Sequence, residues 1–236
     1  MTHFSKSPFV DGHCPADGST IRMKCNFKLA VFDLDGTLTR ERSIWEFIHK
    51  SLGKWYGFAE KYQDQFLNNE ISYYEFCRLD AQVWEGMYVE ELKAIAESVP
   101  FYKGIRPFTS HLKNYGIKLS MISSGLSILS DIVKERHAFD YAVANDLLND
   151  NGILTGEVRI NVHFDRKARW IREIMNKYGI KGDEIIAIGD SPGDKEMFEI
   201  AGLSVAFNPS AEELNSIADI VVNSDDLSDI IAKLPF

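Results

Sequence analysis

Cysteine is scarce: three in 236 residues, at Cys14, Cys25 and Cys77. An odd number that small cannot make a disulfide framework, so a reducing compartment is expected. Long apolar runs are lacking too. Stretches such as Ile185 to Ile188 and Ile220 to Val222 fall far short of the roughly 18 residues a membrane span needs. The N-terminal stretch mixes Ser, Pro, Gly, His and Asp without the apolar centre of a signal peptide. The expectation is a cytoplasmic protein with no membrane association. Basic charge is also short: 26 Lys and Arg stand against 35 Asp and Glu, a formal net charge of −9, and no run of Lys and Arg makes a patch. Nucleic acid is therefore not expected as a partner, and any phosphate chemistry has to rest on local groups. No internal repeat or low-complexity tract is visible.

What is present is ordinary globular composition, 45% hydrophobic and 26% charged, enough to bury a core. At 236 residues and roughly 150 per domain, one large domain or a domain with an insertion is expected. Residues 1–26 read as a flexible N-terminal tail: Pro8, Gly12, Pro15 and Gly18 interrupt them and no apolar period is sustained. Met23 is an alternative start. His13, Cys14 and Cys25 match no paired zinc spacing and lack a fourth ligand, so a tail is preferred to a metal site.

From Lys28 to Leu34 the chain becomes a short apolar run that ends in acids and glycine, the pattern of a buried parallel strand. Similar runs recur at Lys118 to Ile122, Glu184 to Ile188, Ser204 to Ala206 and Ala218 to Val222. Helical segments such as Lys167 to Tyr178 and Lys195 to Ala201 separate them. The expected fold is α/β, a three-layer, Rossmann-like, mostly parallel sheet with its ligand beyond the carboxyl ends of the strands. Residues 43–106 interrupt this alternation with helical patterns at Ser43 to Leu52, Phe58 to Asn68, Ser72 to Trp84 and Val89 to Ser98. In the third, Ser72 stands as N-cap with Glu75 three residues on. The span is too long for an ordinary crossover, so it is expected as a helical cap inserted after the first strand. The catalytic core is then 27–42 with 107–236.

Four polar motifs fall at the strand ends. Asp33-Leu34-Asp35-Gly36-Thr37 follows the first strand, where two carboxylates two residues apart can share a hard cation and face one substrate. Ile122-Ser123-Ser124-Gly125 offers a hydroxyl and free N–H groups to a phosphate oxygen, although small polar residues end many strands. Lys167 opens a helix and suits a phosphoryl oxygen or a carboxylate pair; Arg166 and Arg169 are alternatives if the register slips. Gly189-Asp190-Ser191-Pro192-Gly193-Asp194 brings two more acids, readable as metal-directed carboxylates or as a turn with a helix cap. Acids gathered from two strand ends repel one another unless a divalent cation compensates.

This order of motifs on an α/β chain resembles the haloacid dehalogenase (HAD) superfamily, and the insertion resembles its phosphoserine phosphatase-like subgroup. The resemblance covers about Lys28 to Phe207, and the acid at Asp35 favours a phosphatase over a dehalogenase. It implies a phosphoric monoester hydrolase in which Asp33 is the nucleophile that becomes an aspartyl phosphate and Asp35 is the proton donor and acceptor. It implies Mg²⁺ held by Asp33, Asp190 and the carbonyl of Asp35, with phosphate bound by Ser123, Ser124 and Lys167 and with Asp194 in support. The substrate would be a small phosphorylated metabolite: O-phospho-L-serine, giving serine and phosphate in serine biosynthesis, or another such ester. Two departures bear on that choice. Arg42 stands where phosphoserine phosphatases carry a Glu, with Glu41 beside it, and Gly193 stands where the family has Asn. Arg78 is the candidate for the cap arginine that reads the substrate carboxylate. Trp45, Phe47, Tyr73, Tyr74 and Trp84 are expected mostly as core, with some lining the cap pocket. The rival from another class is a non-enzymatic phospho-receiver or binding domain. A receiver separates its acidic pair from the phosphorylated Asp and has no helical insertion of this length.

Overall fold

The computed structural model describes residues 25–236. The tail expected over 1–26, with His13, Cys14 and Met23, lies almost wholly outside the described residues.

Strand β1 (Leu29–Phe32) is the axis of the fold, and all four of its residues are fully buried. It pairs in parallel with β2 (Lys118–Leu126) on one edge and with β5 (Ile185–Gly189) on the other. The seven-stranded sheet runs β4-β3-β2-β1-β5-β6-β7, where β3 is Tyr141–Asp150, β4 Ile153–Arg159, β6 Leu203–Phe207 and β7 Ile220–Val222. Every neighbouring pair is parallel except β3 with β4. Side chains alternate across the sheet. Ala30 and Phe32 join a core with Phe108 and Leu112 of helix α5 (Ile105–Asn114), while Leu29 and Val31 join another with Ile171 and Ile174 of helix α7 (Ala168–Tyr178). Helices on both faces make the three-layer α/β fold expected from the strand pattern. No helix among the described residues is long and apolar enough to cross a membrane.

Between β1 and β2 lie α1 (Ile44–Ser51), α2 (Glu60–Leu67), α3 (Tyr73–Gln82) and α4 (Val89–Glu97). Ser43 and Ser72 cap α1 and α3 by accepting from the N–H groups of Glu46 and Glu75. The capping box at Ser72 is only half made, because the Glu75 carboxylate turns to Arg78 instead. Helix α2 starts two residues later than the Phe58 expected, after a wide turn over Trp55–Ala59 in which Gly57 takes φ +92°. The chain leaves and re-enters the core side by side, Arg40 N–H bonding Pro100 O (2.8 Å) and Tyr102 N–H bonding Leu38 O (3.0 Å). Helix α5 begins inside the 43–106 span expected for the insertion.

The β3–β4 hairpin was not anticipated. Asn151 and Gly152 turn it with positive φ at both positions, 50° and 85°, the geometry that Asn-Gly favours between paired strands. The loop after α3 docks on it: Gly86 N–H bonds Leu154 O, Leu154 N–H bonds Met87 O and Val89 N–H bonds Gly152 O, at 2.8, 2.8 and 2.9 Å.

Candidate active site

Because β2, β1 and β5 are adjacent and parallel, their carboxyl ends deliver three of the four motifs to one edge. Asp33 follows β1, Ser123 and Ser124 lie in the last part of β2, and Asp190 follows β5. The fourth motif arrives from the helix layer. Lys167 stands immediately before α7, 1% exposed, and its Nζ donates to Asp33 Oδ1 at 2.8 Å and to Asp194 Oδ1 at 2.7 Å. The open choice of register is thereby decided, since Arg166 and Arg169 are exposed and turn to Asp165 and the Trp170 ring.

Asp194 is fully buried, and its second oxygen, Oδ2, accepts from Asp190 N–H and Ser191 N–H, both at 3.0 Å, and from Ser191 Oγ at 3.2 Å. Both its oxygens are committed to holding Lys167 and the 190–194 loop. Asp190 accepts from Thr37 Oγ1 at 3.0 Å through Oδ1 and from the Arg42 guanidinium at 2.8 Å through Oδ2. Its backbone carbonyl accepts from the N–H and the hydroxyl of Ser210. Gly36 makes this approach possible: at φ +81° a Cβ there would lie 2.3 Å from Asp190 Oδ2. Gly193 is similarly forced. A Cβ would sit 2.4 Å from the Phe164 carbonyl, so the Asn of the family pattern has no room in this loop.

The carboxylates perturb one another. Burial and then the Asp194 charge raise Asp33, Lys167 pulls it back, and the balance lies at about 6. Burial and then Asp33 raise Asp35 to about 7. Burial, Asp33 and Asp194 lift Asp190 well above the carboxylate range against the pull of Arg42 and Thr37. Burial works against the charge on Lys167, but Asp194 and Asp33 more than offset it. Asp35 is half-buried, and its Oδ1 is buried with no hydrogen-bond partner. A carboxyl that keeps its proton to near neutral pH and has an uncommitted oxygen is equipped to give that proton away.

Asp33, Asp190 and Asp194 each offer an oxygen within 4.8 Å of the others. Clustered hard oxygens whose charges raise one another's pKa fit a divalent cation, which would relieve their repulsion. Asp194 gives its oxygens to Lys167 and to its own loop, and Asp190 gives one each to Thr37 and Arg42.

Ser123 is buried, and its Oγ accepts from Gly125 N–H at 2.9 Å, which closes the turn. The carbonyl of Ser124 is held by three donors: Asn145 Nδ2 at 2.8 Å, Tyr73 OH at 3.1 Å and Trp45 Nε1 at 3.4 Å. Asn145, fully buried on β3, also accepts from Asn161 N–H and Val162 N–H, both at 2.9 Å. Sequence reading missed this residue. The Asn-Gly turn signals the pairing of β3 with β4 but says nothing of β2, beside which Asn145 acts.

Two joined hollows open above these groups. One of about 130 Å³ is lined by Asp33, Asp35, Ser124, Asp190 and Ser210, and the other, of about 240 Å³, lies under the inserted helices; they share Arg42, Ser43, Trp45 and Ser124. Tyr73 also lines the second, while Trp84 is fully buried against Trp45, Phe47 packs on the core and Tyr74 is exposed. Arg42 is at the site but faces Asp190 and the Asn208 carbonyl. Arg78 is not brought there: it is exposed and makes a two-pronged bond with Glu75, one turn back on α3. A larger open groove of about 1200 Å³ runs between α4, α6 (Ser127–His137) and the hairpin and contains none of the motif residues.

The model of the haloacid dehalogenase-like hydrolases matches residues 30–199. The chain belongs to that family. Among its relatives, it is 33% identical over 214 residues to a phosphoserine phosphatase of Archaeoglobus fulgidus, covering 88% of this chain and 60% of that protein. A phosphoserine phosphatase of Idiomarina loihiensis is 29% identical over 90% of this chain and 96% of its own. The chain thus spans less than two thirds of the first relative and nearly all of the second. Its fold matches a solved phospho-aspartyl intermediate analogue of phosphoserine phosphatase with a TM-score of 0.75 and 26% identity, over 88% of this chain and 99% of that one.

Proposed function

We propose that the chain is a Mg²⁺-dependent phosphomonoester hydrolase of the phosphoserine phosphatase type, acting through an aspartyl phosphate. The observation that carries this reading is the buried Lys167 shared between Asp33 and Asp194. An anionic nucleophile approaches a phosphate dianion only where fixed positive charge and donors are waiting. Asp33 attacks phosphorus, the bond to the ester oxygen breaks, and Asp35 gives its proton to the departing alkoxide. Asp35 then takes a proton from water as the water oxygen attacks phosphorus and releases Asp33, so the proton balance closes. Lys167, Ser123 and Ser124 hold phosphoryl oxygens, and Asp194 positions Lys167. Mg²⁺ would be held by Asp33, Asp190 and the Asp35 carbonyl. When bound, it supplies charge neutralisation at the phosphoryl group.

The helices between 44 and 97 act as the cap of this site in the proposal. The relatives' name makes O-phospho-L-serine the reference substrate. Both acids of the first motif on one loop, followed by a helical insertion, favour a hydrolase over a phospho-receiver. Few cysteines and a net charge of −9 are in keeping with a cytoplasmic enzyme that does not bind nucleic acid. Release of phosphate from O-phospho-L-serine and other small esters tests the reading. Asp33→Asn should lower turnover by roughly 10⁴-fold or more, the scale of a lost nucleophile. Chelation should silence the enzyme, and Mg²⁺ should restore it and raise the melting temperature. Full activity of Asp33→Asn would overturn the mechanism.

A further inference from the structure

The hollow under the cap has a chemistry of its own, distinct from the carboxylate floor that it joins. The rings of Trp45, Phe66, Tyr73, Phe76 and Phe164, with Leu67, form its walls. Phe66 stacks on Phe76 at 5.1 Å and meets Phe164 edge-on at 5.3 Å, and Tyr73 lies 5.4 Å from Phe164. The two walls that carry polar tips spend them elsewhere. Trp45 Nε1 and Tyr73 OH both donate to the Ser124 carbonyl, which leaves their apolar faces to the hollow. Among the described residues no Asp or Glu lines it, and its other polar lining residues are Ser43, Ser124, the half-buried Gln63 and Arg42 at the neck.

The hollow is open where Leu67 and Phe164 are exposed, and a primary ammonium settling on its ring faces would give up part of its water with no carboxylate on the hollow's own walls to accept its protons. Aromatic faces attract cations in general, but Arg42, paired with Asp190, already places a guanidinium where the two hollows join and takes up the carboxylate nearest that neck. Nor does Arg78 offer a charge to the hollow, being exposed and paired with Glu75. We propose that this chamber selects an uncharged alcohol with an aromatic or branched apolar body as the leaving group, and discriminates against alcohols that carry an ammonium. The proposal rests on the hydrolase reading for the word leaving group, whereas the recognition itself is a property of the chamber.

Binding and turnover are therefore measured separately. Titration calorimetry compares 2-phenylethylphosphonate with 2-amino-4-phosphonobutanoate, carbon-linked analogues of benzyl phosphate and phosphoserine that cannot be hydrolysed. The phenyl compound is expected to bind about tenfold or more tightly, the scale on which a site separates ligands that fill or fail its pocket. Equal or tighter binding of the amino compound overturns the proposal. Gln63→Glu places a carboxylate in the chamber with almost no change of shape and should shift the ratio about tenfold toward the amino compound; no shift overturns the claim that the missing acid sets the preference. Phosphate release is then followed from benzyl phosphate, O-phospho-L-serine and phosphocholine, all esters of primary alcohols. Benzyl phosphate should show the highest kcat/KM, and a higher value for phosphocholine overturns the proposal in favour of an aromatic cage for cations. If no ester is turned over while the phenyl analogue binds tightly, the hydrolase reading fails and the chamber's preference stands.

Discussion

Lys167 on the carboxylate floor and the His49–Asp80 pair inside the insertion are equally buried, at 1% exposed against 0% and 1%. Their surroundings differ in every other respect. Lys167 lies 2.8 and 2.7 Å from two carboxylates, and the further oxygen of Asp194 accepts three more donors. In the cap, His49 Nε2 is 3.4 Å from Asp80 Oδ1 without hydrogen-bond alignment, and both His49 ring nitrogens, Asp80 Oδ1 and the Trp84 indole nitrogen have no hydrogen-bond partner. Burial of charge therefore marks neither region by itself. On the floor, fixed groups hold the charges in place and make a prepared electrostatic environment. In the cap, unsatisfied polar atoms are a cost of about 1–3 kcal/mol each, set against the stacking of Trp45 on Trp84 at 5.6 Å.

Lys167→Met breaks the floor and should have the largest effect. It leaves Asp33 and Asp194 buried without their shared cation, a loss of about 3–5 kcal/mol in denaturant unfolding. Phosphate release should fall roughly 10³-fold alongside. A variant as stable as the wild type would show that the two clusters are alike.

Asn145→Ala tests the uncharged strut that steadies the floor. It removes one donor from the Ser124 carbonyl and the acceptor for the N–H groups of Asn161 and Val162. Turnover should drop about 10²-fold through misplacement of the Ser123–Ser124 segment. The loss should appear in kcat more than in KM, whereas a purely structural role would lower the melting temperature and leave kcat alone.

Asp80→Asn probes the cap and should have the smallest effect, of opposite sign. Burial raises the Asp80 carboxyl above its ordinary value, and His49 pulls it part of the way back. The folded state therefore holds that proton more tightly than the unfolded one. The wild type loses stability as pH rises from the ordinary carboxylate range through the raised value. The neutral amide escapes this loss, so the variant should be more stable than the wild type at neutral pH. The advantage should vanish below the ordinary carboxylate range. Denaturation as a function of pH checks it, and a destabilised variant at neutral pH would make the cap pair a net strut like the floor.

Much of the floor was legible in the sequence. The acids of the first and last motifs and the Ser-Ser-Gly turn follow apolar runs, and parallel strands that share a sheet bring their carboxyl ends together whatever lies between them. The helix-opening Lys was legible as one of three basic residues, and only the packing of α7 separated it from Arg166 and Arg169. The hairpin is hard to see in the sequence because its strands are neither continuously apolar nor cleanly alternating, and its Asn-Gly turn is the one local clue. Asn145 has no spacing signature at all. It matters because the β2–β3 register sets Leu126 opposite it, and a side-chain amide there can reach the Ser124 carbonyl.

Arg42 and Arg78 mark the limit. The sequence could put both near a substrate pocket, but a long guanidinium side chain goes to the carboxylate its rotamers can reach. For Arg78 that is Glu75, three residues away on the same helix face, and for Arg42 it is Asp190, brought from across the sheet. By itself the sequence determined which kinds of group stand at the strand ends and in what order, because those follow from local period and spacing. The tertiary structure alone decided what the flexible side chains touch and that the chamber above the floor is walled by rings, because those contacts join residues that share no local pattern.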